Sequence, residues 1–124
     1  MDLFGQTLDG FARRLGLPSI PLGPSGAAEL SIERVGRLGL ETAGDWVLVT
    51  IARPCPPHAG KAARTALDLC HWRQHHPWPV HAGQKGAEWL AFTAAVSPPA
   101  FDVPTLERII PYLSNLLDLA EQAG

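Results

Sequence analysis

An apolar stripe that ends at a doubly specified break constrains the fold of this chain more than any other feature. Phe4, Leu8, Phe11 and Leu15 recur at spacings of three and four with Leu3 beside them, while Gln6, Asp9, Arg13 and Arg14 face elsewhere, which is the pattern of an amphipathic helix. The stripe ends at Leu15-Gly16-Leu17-Pro18. Gly16 can take the left-handed conformation of a helix terminus, and Pro18 pushes Leu17 away from helical dihedrals. Asp2 is the expected N-cap. Gly5 and Gly10 inside the segment each cost about 1 kcal/mol against alanine, so this helix needs a surface to pack on. After Ser25-Gly26 the period changes to two in Glu29-Leu30-Ser31-Ile32-Glu33, which predicts a strand.

Two further alternating pieces follow, one carrying Leu38 and Leu40 and one running from Trp46 to Ala52. Val35-Gly36-Arg37 and Ala43-Gly44-Asp45 are short enough to make all three strands antiparallel neighbours, because a parallel crossover needs a dozen residues or more. Trp46-Val47-Leu48-Val49-Thr50-Ile51 is apolar at both parities. It predicts a central strand, covered by helices on one face and by another apolar surface on the other. Pro54-Cys55-Pro56-Pro57 ends the sheet run, and Gly60 opens a second helix expected over residues 61–76. That helix has two apolar stripes, Ala63, Ala66, Leu67 and Cys70 on one and Ala62, Leu69, Trp72 and His76 on the other, as expected of a helix that touches both its own sheet and a second molecule. Residues 78–82, the turn Gly83-Gln84-Lys85-Gly86 and residues 88–96 read as a second hairpin. Asp102 caps a last helix whose apolar face is Leu106, Ile109, Ile110, Leu113, Leu116, Leu117 and Ala120, with a kink or non-α turn expected at Pro111. The expectation is an α+β fold of order helix-β-β-β-helix-β-β-helix, a twisted five-stranded antiparallel sheet packed with helices.

The chain has 124 residues, 46% of them hydrophobic, which predicts one domain over residues 1–124. Ten Lys and Arg against twelve Asp and Glu give a net charge of -2. Both signs are mixed along the chain, so no basic stripe is available to neutralise a row of phosphates, and nucleic acid is not an expected partner. Met1-Asp2-Leu3-Phe4 has no positive n-region, and the apolar stretch of residues 89–96 is too short to cross a bilayer. The expected location is the cytoplasm, without membrane insertion. Two cysteines, Cys55 and Cys70, match neither a disulfide framework nor a CxxC site and are expected to be reduced.

The residues offer little to an enzyme. His71 and His75 stand at i and i+4 beside Cys70, with His58, His76 and His81 elsewhere. Imidazoles so spaced on a helix could share a metal. Trp72 follows His71 where a zinc-protease helix has Glu, so a metal-bound water would lack its base. Cys70 and His71 are adjacent, and adjacent helical residues point about 100 degrees apart, which is wrong for a nucleophile and its base. Neither a Gly-x-Ser-x-Gly elbow nor a Gly-x-x-x-x-Gly-Lys cradle is present. No catalytic residue, metal or cofactor is expected.

Leu15-Gly16-Leu17-Pro18 closing the first helix, the strand Leu30-Ser31-Ile32-Glu33, the following Leu38-Gly39-Leu40-Glu41 and a leucine-patterned last helix resemble a class I type III secretion chaperone of the Tir chaperone (CesT) kind. The resemblance spans nearly the whole chain. It implies a cytoplasmic homodimer that binds the extended N-terminal segment of a secreted effector, keeps it soluble and readies it for an export ATPase complex. The other reading is a dimeric module of the same fold with a non-secreted partner. A client strand can add to a sheet edge through main-chain hydrogen bonds while its side chains fill pockets. On the resemblance, client contacts fall on Leu3, Phe4, Leu8, Phe11, Leu30, Ile32, Leu38 and Leu40, and dimer contacts on Leu67, Leu69, Trp72, Trp78 and Val80.

Overall fold

A computed structural model describes residues 3–55, 60–71, 75–85 and 88–122. The elements run α1 (Leu3–Arg14), β1 (Ala28–Ile32), β2 (Gly36–Ala43), β3 (Trp46–Pro54), α2 (Gly60–Leu69), β4 (Val80–Lys85), β5 (Trp89–Val96), a short 3-10 turn at Pro98–Ala100 and α3 (Val103–Gln122). This is the expected order. The five strands form one antiparallel sheet in the order β1-β2-β3-β5-β4, with β3 central as its apolar sequence requires. The expected cap at Asp2 and the residues Trp72 and His58 lie outside the described residues.

Local chemistry sets the boundaries. α1 closes as foreseen. Gly16 is left-handed at φ 75°, Leu17 N–H donates to the Ala12 carbonyl at 2.8 Å and Gly16 N–H to that of Arg13 at 3.1 Å, the paired bonds of a glycine-terminated helix. Gly44 at φ 58° opens a two-residue turn that pairs Ala43 with Trp46, a geometry that matches strand twist. The turn into β2 lies two residues earlier than expected, at Glu33-Arg34-Val35. There Arg34 is itself left-handed at φ 68°, an arrangement costing a non-glycine residue roughly 1–2 kcal/mol. At Gly36, which follows at φ 130°, a Cβ would stand 2.5 Å from the Ala52 carbonyl oxygen.

Two expectations need correction. α2 ends at Leu69, short of the expected residue 76, so His71, His75 and His76 lie outside it. β4 extends through Lys85, so Gly83, Gln84 and Lys85 belong to the strand instead of the turn. α3 runs through Pro111 as the single helix expected. Of its two ends, the first is capped by Asp102, whose Oδ1 accepts from Thr105 N–H at 2.9 Å.

The core lies between the sheet and the helices. One parity of the strands supplies Leu38, Leu40, Val47, Val49, Ile51, Leu90, Phe92 and Val96, each at most 2% exposed. α3 closes over them with Leu106, Ile109, Leu113 and Leu117, against β3 and β5, while α2 packs on α3 and β4 and α1 on α3. Arg53 occupies the same inward parity, opposite Leu90. Its guanidinium donates to the Val35 carbonyl at 2.6 Å, Asp118 at 2.6 Å, Glu121 at 3.3 Å and Ser114 Oγ at 2.7 Å. Charge-assisted bonds of this kind are worth more than neutral ones.

Two outcomes follow. Arg53→Leu should lower unfolding stability in urea by about 2 kcal/mol, because half-exposed acceptors regain water while the Val35 and Ser114 bonds are lost. Hydrogen bonds from the Thr105 hydroxyl and N–H hold the Asp102 carboxyl below its ordinary range. Its contribution is therefore complete above the unfolded-state pKa and disappears as pH falls through the lower folded value. Asp102→Asn should flatten that part of the acid-stability curve, measured by thermal melts from neutral pH downwards.

Candidate client and partner surfaces

α1 is fixed against the start of α3 by several unlike contacts. Thr7 Oγ1–H donates to the Phe101 carbonyl at 2.9 Å, and the Phe4 ring stacks on Phe101 with centroids 5.6 Å apart. Arg14 pairs with Glu107 at 3.1 Å. Gly10 permits the crossing, since a Cβ there would meet Val103 Cγ2 at 3.0 Å. Leu8 and Phe11 are thereby buried in the core, whereas Leu3 is 46% exposed and Phe4 half-buried.

β1 is an edge strand. It pairs with β2 in the register Ala28↔Leu40, Leu30↔Leu38 and Ile32↔Gly36, and among the described residues its one other pairing is an isolated bridge from Leu22 to Ala28. Leu38 and Leu40 are 1% exposed, while Leu30 and Ile32, one strand further out, are half-buried. The eight expected client residues thus divide evenly. Leu8, Phe11, Leu38 and Leu40 are interior in this chain, whereas Leu3, Phe4, Leu30 and Ile32 have surface left to offer.

The opposite face of the sheet differs from the expected apolar one. Its rungs read Arg37, Ala52, Ala91, Gly83 and Gly39, Thr50, Thr93, His81 from β2 to β4. These short side chains leave a shallow hollow of about 380 Å³ lined by the strands. The Thr50 and Thr93 hydroxyls bond each other at 2.8 Å, and the Arg37 guanidinium lies 4.9 Å above the Trp89 ring. Only the alternation at Thr50 in the sequence hinted at this; the small residues become a rung once register is known.

On the α2 side, Leu67 is 63% exposed, Leu69 and Trp78 are half-buried and Val80 is 6% exposed. Ala62 and Ala66 face the core together, so the expected stripe of Ala63, Ala66, Leu67 and Cys70 is split between interior and solvent. Trp78 meets the Tyr112 ring edge-on at 5.7 Å, with the Arg108 guanidinium 5.5 Å over its own face. His76, absent from the expected sites, bonds to the Tyr112 hydroxyl and to the Leu69 carbonyl. His71 and His75 do not share a helix face, because α2 has ended before them. Among the described residues no three His, Cys, Asp or Glu side chains converge on a metal-sized site. Burial pushes the Cys70 thiol up from its ordinary pKa, opposite to the shift that activates a nucleophile. No described helix is long and apolar enough to cross a membrane.

Comparison with known proteins gives one family. A family model described as "Type III secretory system chaperone SycN" matches residues 4–120. No curated protein sequence matches significantly. Among solved structures, a chain of the ExsC–ExsE complex is 25% identical with a TM-score of 0.69, covering 95% of this chain and 88% of that one. A chain of the Yersinia pestis type III secretion chaperone SycH in complex with a stable fragment of YscM2 is 14% identical with a TM-score of 0.68, over 98% and 99%. A chain of the heterodimeric ExoU–SpcU complex of the Pseudomonas aeruginosa type III secretion system is 18% identical with a TM-score of 0.64, over 91% and 93%. The last two show the shared fold. The sequence resemblance to type III secretion chaperones therefore stands, with SycN as the matching family model.

The division of the eight residues can be measured. Leu38→Ala should cost about 3 kcal/mol in urea unfolding because it leaves a cavity in a closed core, and Leu3→Ala should stay within about 0.5 kcal/mol.

Proposed function

This chain belongs to the Type III secretory system chaperone SycN family, and on that premise we propose that it acts as a cytoplasmic homodimer holding the extended N-terminal segment of a secreted effector. The observation that carries the client reading is the β1 edge. It pairs in register on one side only, and its inward side chains Leu30 and Ile32 are half covered. An extended segment can bond to such an edge through its main chain and set alternate side chains beside Leu30 and Ile32. Leu3 and Phe4 offer a second apolar contact on α1. Three solved structures with this fold contain complexes, two of them named for secretion-system proteins, which supports a holding role.

The partner surface of the dimer is assigned to α2 and the segment after it, with Leu67, Leu69, Trp72 and Trp78 as contacts and Val80 beneath them. An exposed leucine and a half-exposed tryptophan are the kind of anchors that self-association buries. The function is binding without a chemical step, and the held client passes to the export ATPase complex.

The experiment is co-purification from cells that make the secretion system, followed by limited proteolysis of the bound chain. Two copies of this protein protecting an extended N-terminal stretch of a larger secreted protein are expected. Leu3→Asp combined with Ile32→Ser should weaken client binding at least about tenfold, two apolar contacts being worth some 1.5 kcal/mol or more, with the fold intact by circular dichroism. A folded partner bound elsewhere, with client affinity unchanged in the double variant, would overturn the reading.

A further inference from the structure

α2 stops at Leu69 in a tight turn, in which Cys70 N–H bonds to the Ala66 and Leu67 carbonyls and His71 N–H to that of Asp68. The Leu69 carbonyl is one of the acceptors a helix end leaves over, and His76 Nε2 reaches it at 2.7 Å. A carbonyl only accepts, so Nε2 carries the proton, and Nδ1 accepts from the Tyr112 hydroxyl. Burial holds the Tyr112 phenol above its ordinary pKa, which keeps that hydroxyl a donor. The His76 and Tyr112 rings meet edge-on at 5.7 Å. Tyr112 offers its ring to Trp78 as well, and Arg108, four residues earlier on α3, covers Trp78. One stretch of α3 thus holds His76, which bonds the end of α2, and Trp78 two residues on.

We propose that His76 and Tyr112 are positioning residues for self-association: their hydrogen bond ties the end of α2 and residues 75–79 to α3, so that Leu67 and Trp78 are presented as one surface. This deepens the dimer reading above and rests on it. Neither residue needs to touch the partner. Both act through the placement of the groups that do.

The test measures two quantities on the full chain, the dimer dissociation constant by sedimentation and hydrogen exchange at residues 75–79. Tyr112→Phe keeps the ring and removes only the hydroxyl. It should raise the dissociation constant about tenfold, since one bond is lost in each of two copies, and should speed exchange at residues 75–79 while β1 and β2 are unchanged. His76→Phe removes the bond to the Leu69 carbonyl as well, so it should cost at least as much, and the double variant should be no worse than His76→Phe alone, because the tyrosine hydroxyl then has no imidazole left to bond. A dissociation constant within about twofold of wild type in Tyr112→Phe, or losses that add in the double variant, would overturn the proposal. A wild-type chain that stays monomeric at every concentration would instead overturn the dimer reading; the exchange measurement then still decides whether the pair locks the connection.

Discussion

Arg53 holds together three parts of the chain that hydrophobic packing alone would leave loosely related. It stands at the inward parity of the central strand, opposite the core residue Leu90, and is itself half-buried. From there it reaches the Val35 carbonyl in the turn between β1 and β2 and the Ser114, Asp118 and Glu121 groups on the last turns of α3. The turn it holds is a strained one, with Arg34 left-handed and Gly36 tolerable only without a side chain. A guanidinium suits this place because its planar fork serves several acceptors at once and stays charged. The inclination of α3 across the sheet and the register of the edge strand β1 are therefore linked through one side chain.

α3 is the second organising element, and it works by covering the sheet along its length. Leu106, Ile109, Leu113, Leu117 and Ala120 are closed off completely, which a twenty-residue helix allows on one face. Its proline does not interrupt it. Packing on β3 and β5 outweighs the lost bond. The outward flank of the same helix then becomes available for local tasks, with Glu107 holding α1, Tyr112 holding the end of α2 and Asp118 holding Arg53.

Element order, the central strand and the Gly16 stop were legible because each rests on local chemistry or on a simple period. The end of α2 was not. Ala, Leu, Trp and His continue a helical pattern through residue 76, yet α2 ends at Leu69 in a tight turn, and His76 turns back to the Leu69 carbonyl. Arg53 was hidden for a related reason. A charged residue just past an apolar strand reads as solvent-facing, and its inward parity follows only from pairing with Leu90. The candidate client residues were legible as an apolar set but not as a divided one. Leu38 and Leu30 have the same sequence signature, yet one is 1% exposed and the other half-buried, because β2 has a neighbour on each side and β1 does not.

That division bears on how a chaperone can offer an edge without being consumed by it. An unpaired strand flanked by apolar side chains is also a template for aggregation. In this chain the alternate positions Glu29 and Ser31 are exposed, and Glu33 and Arg34 follow at the turn. Another flat strand brought against that edge meets charge on one face and only a half-open apolar row on the other. A flexible segment can adjust its side chains to both; a rigid edge from a second folded copy cannot do so as readily. Under the proposed function, an extended client is favoured over self-association at β1 by burial and charge, and α2, with Leu67 uncovered, is where two copies would meet.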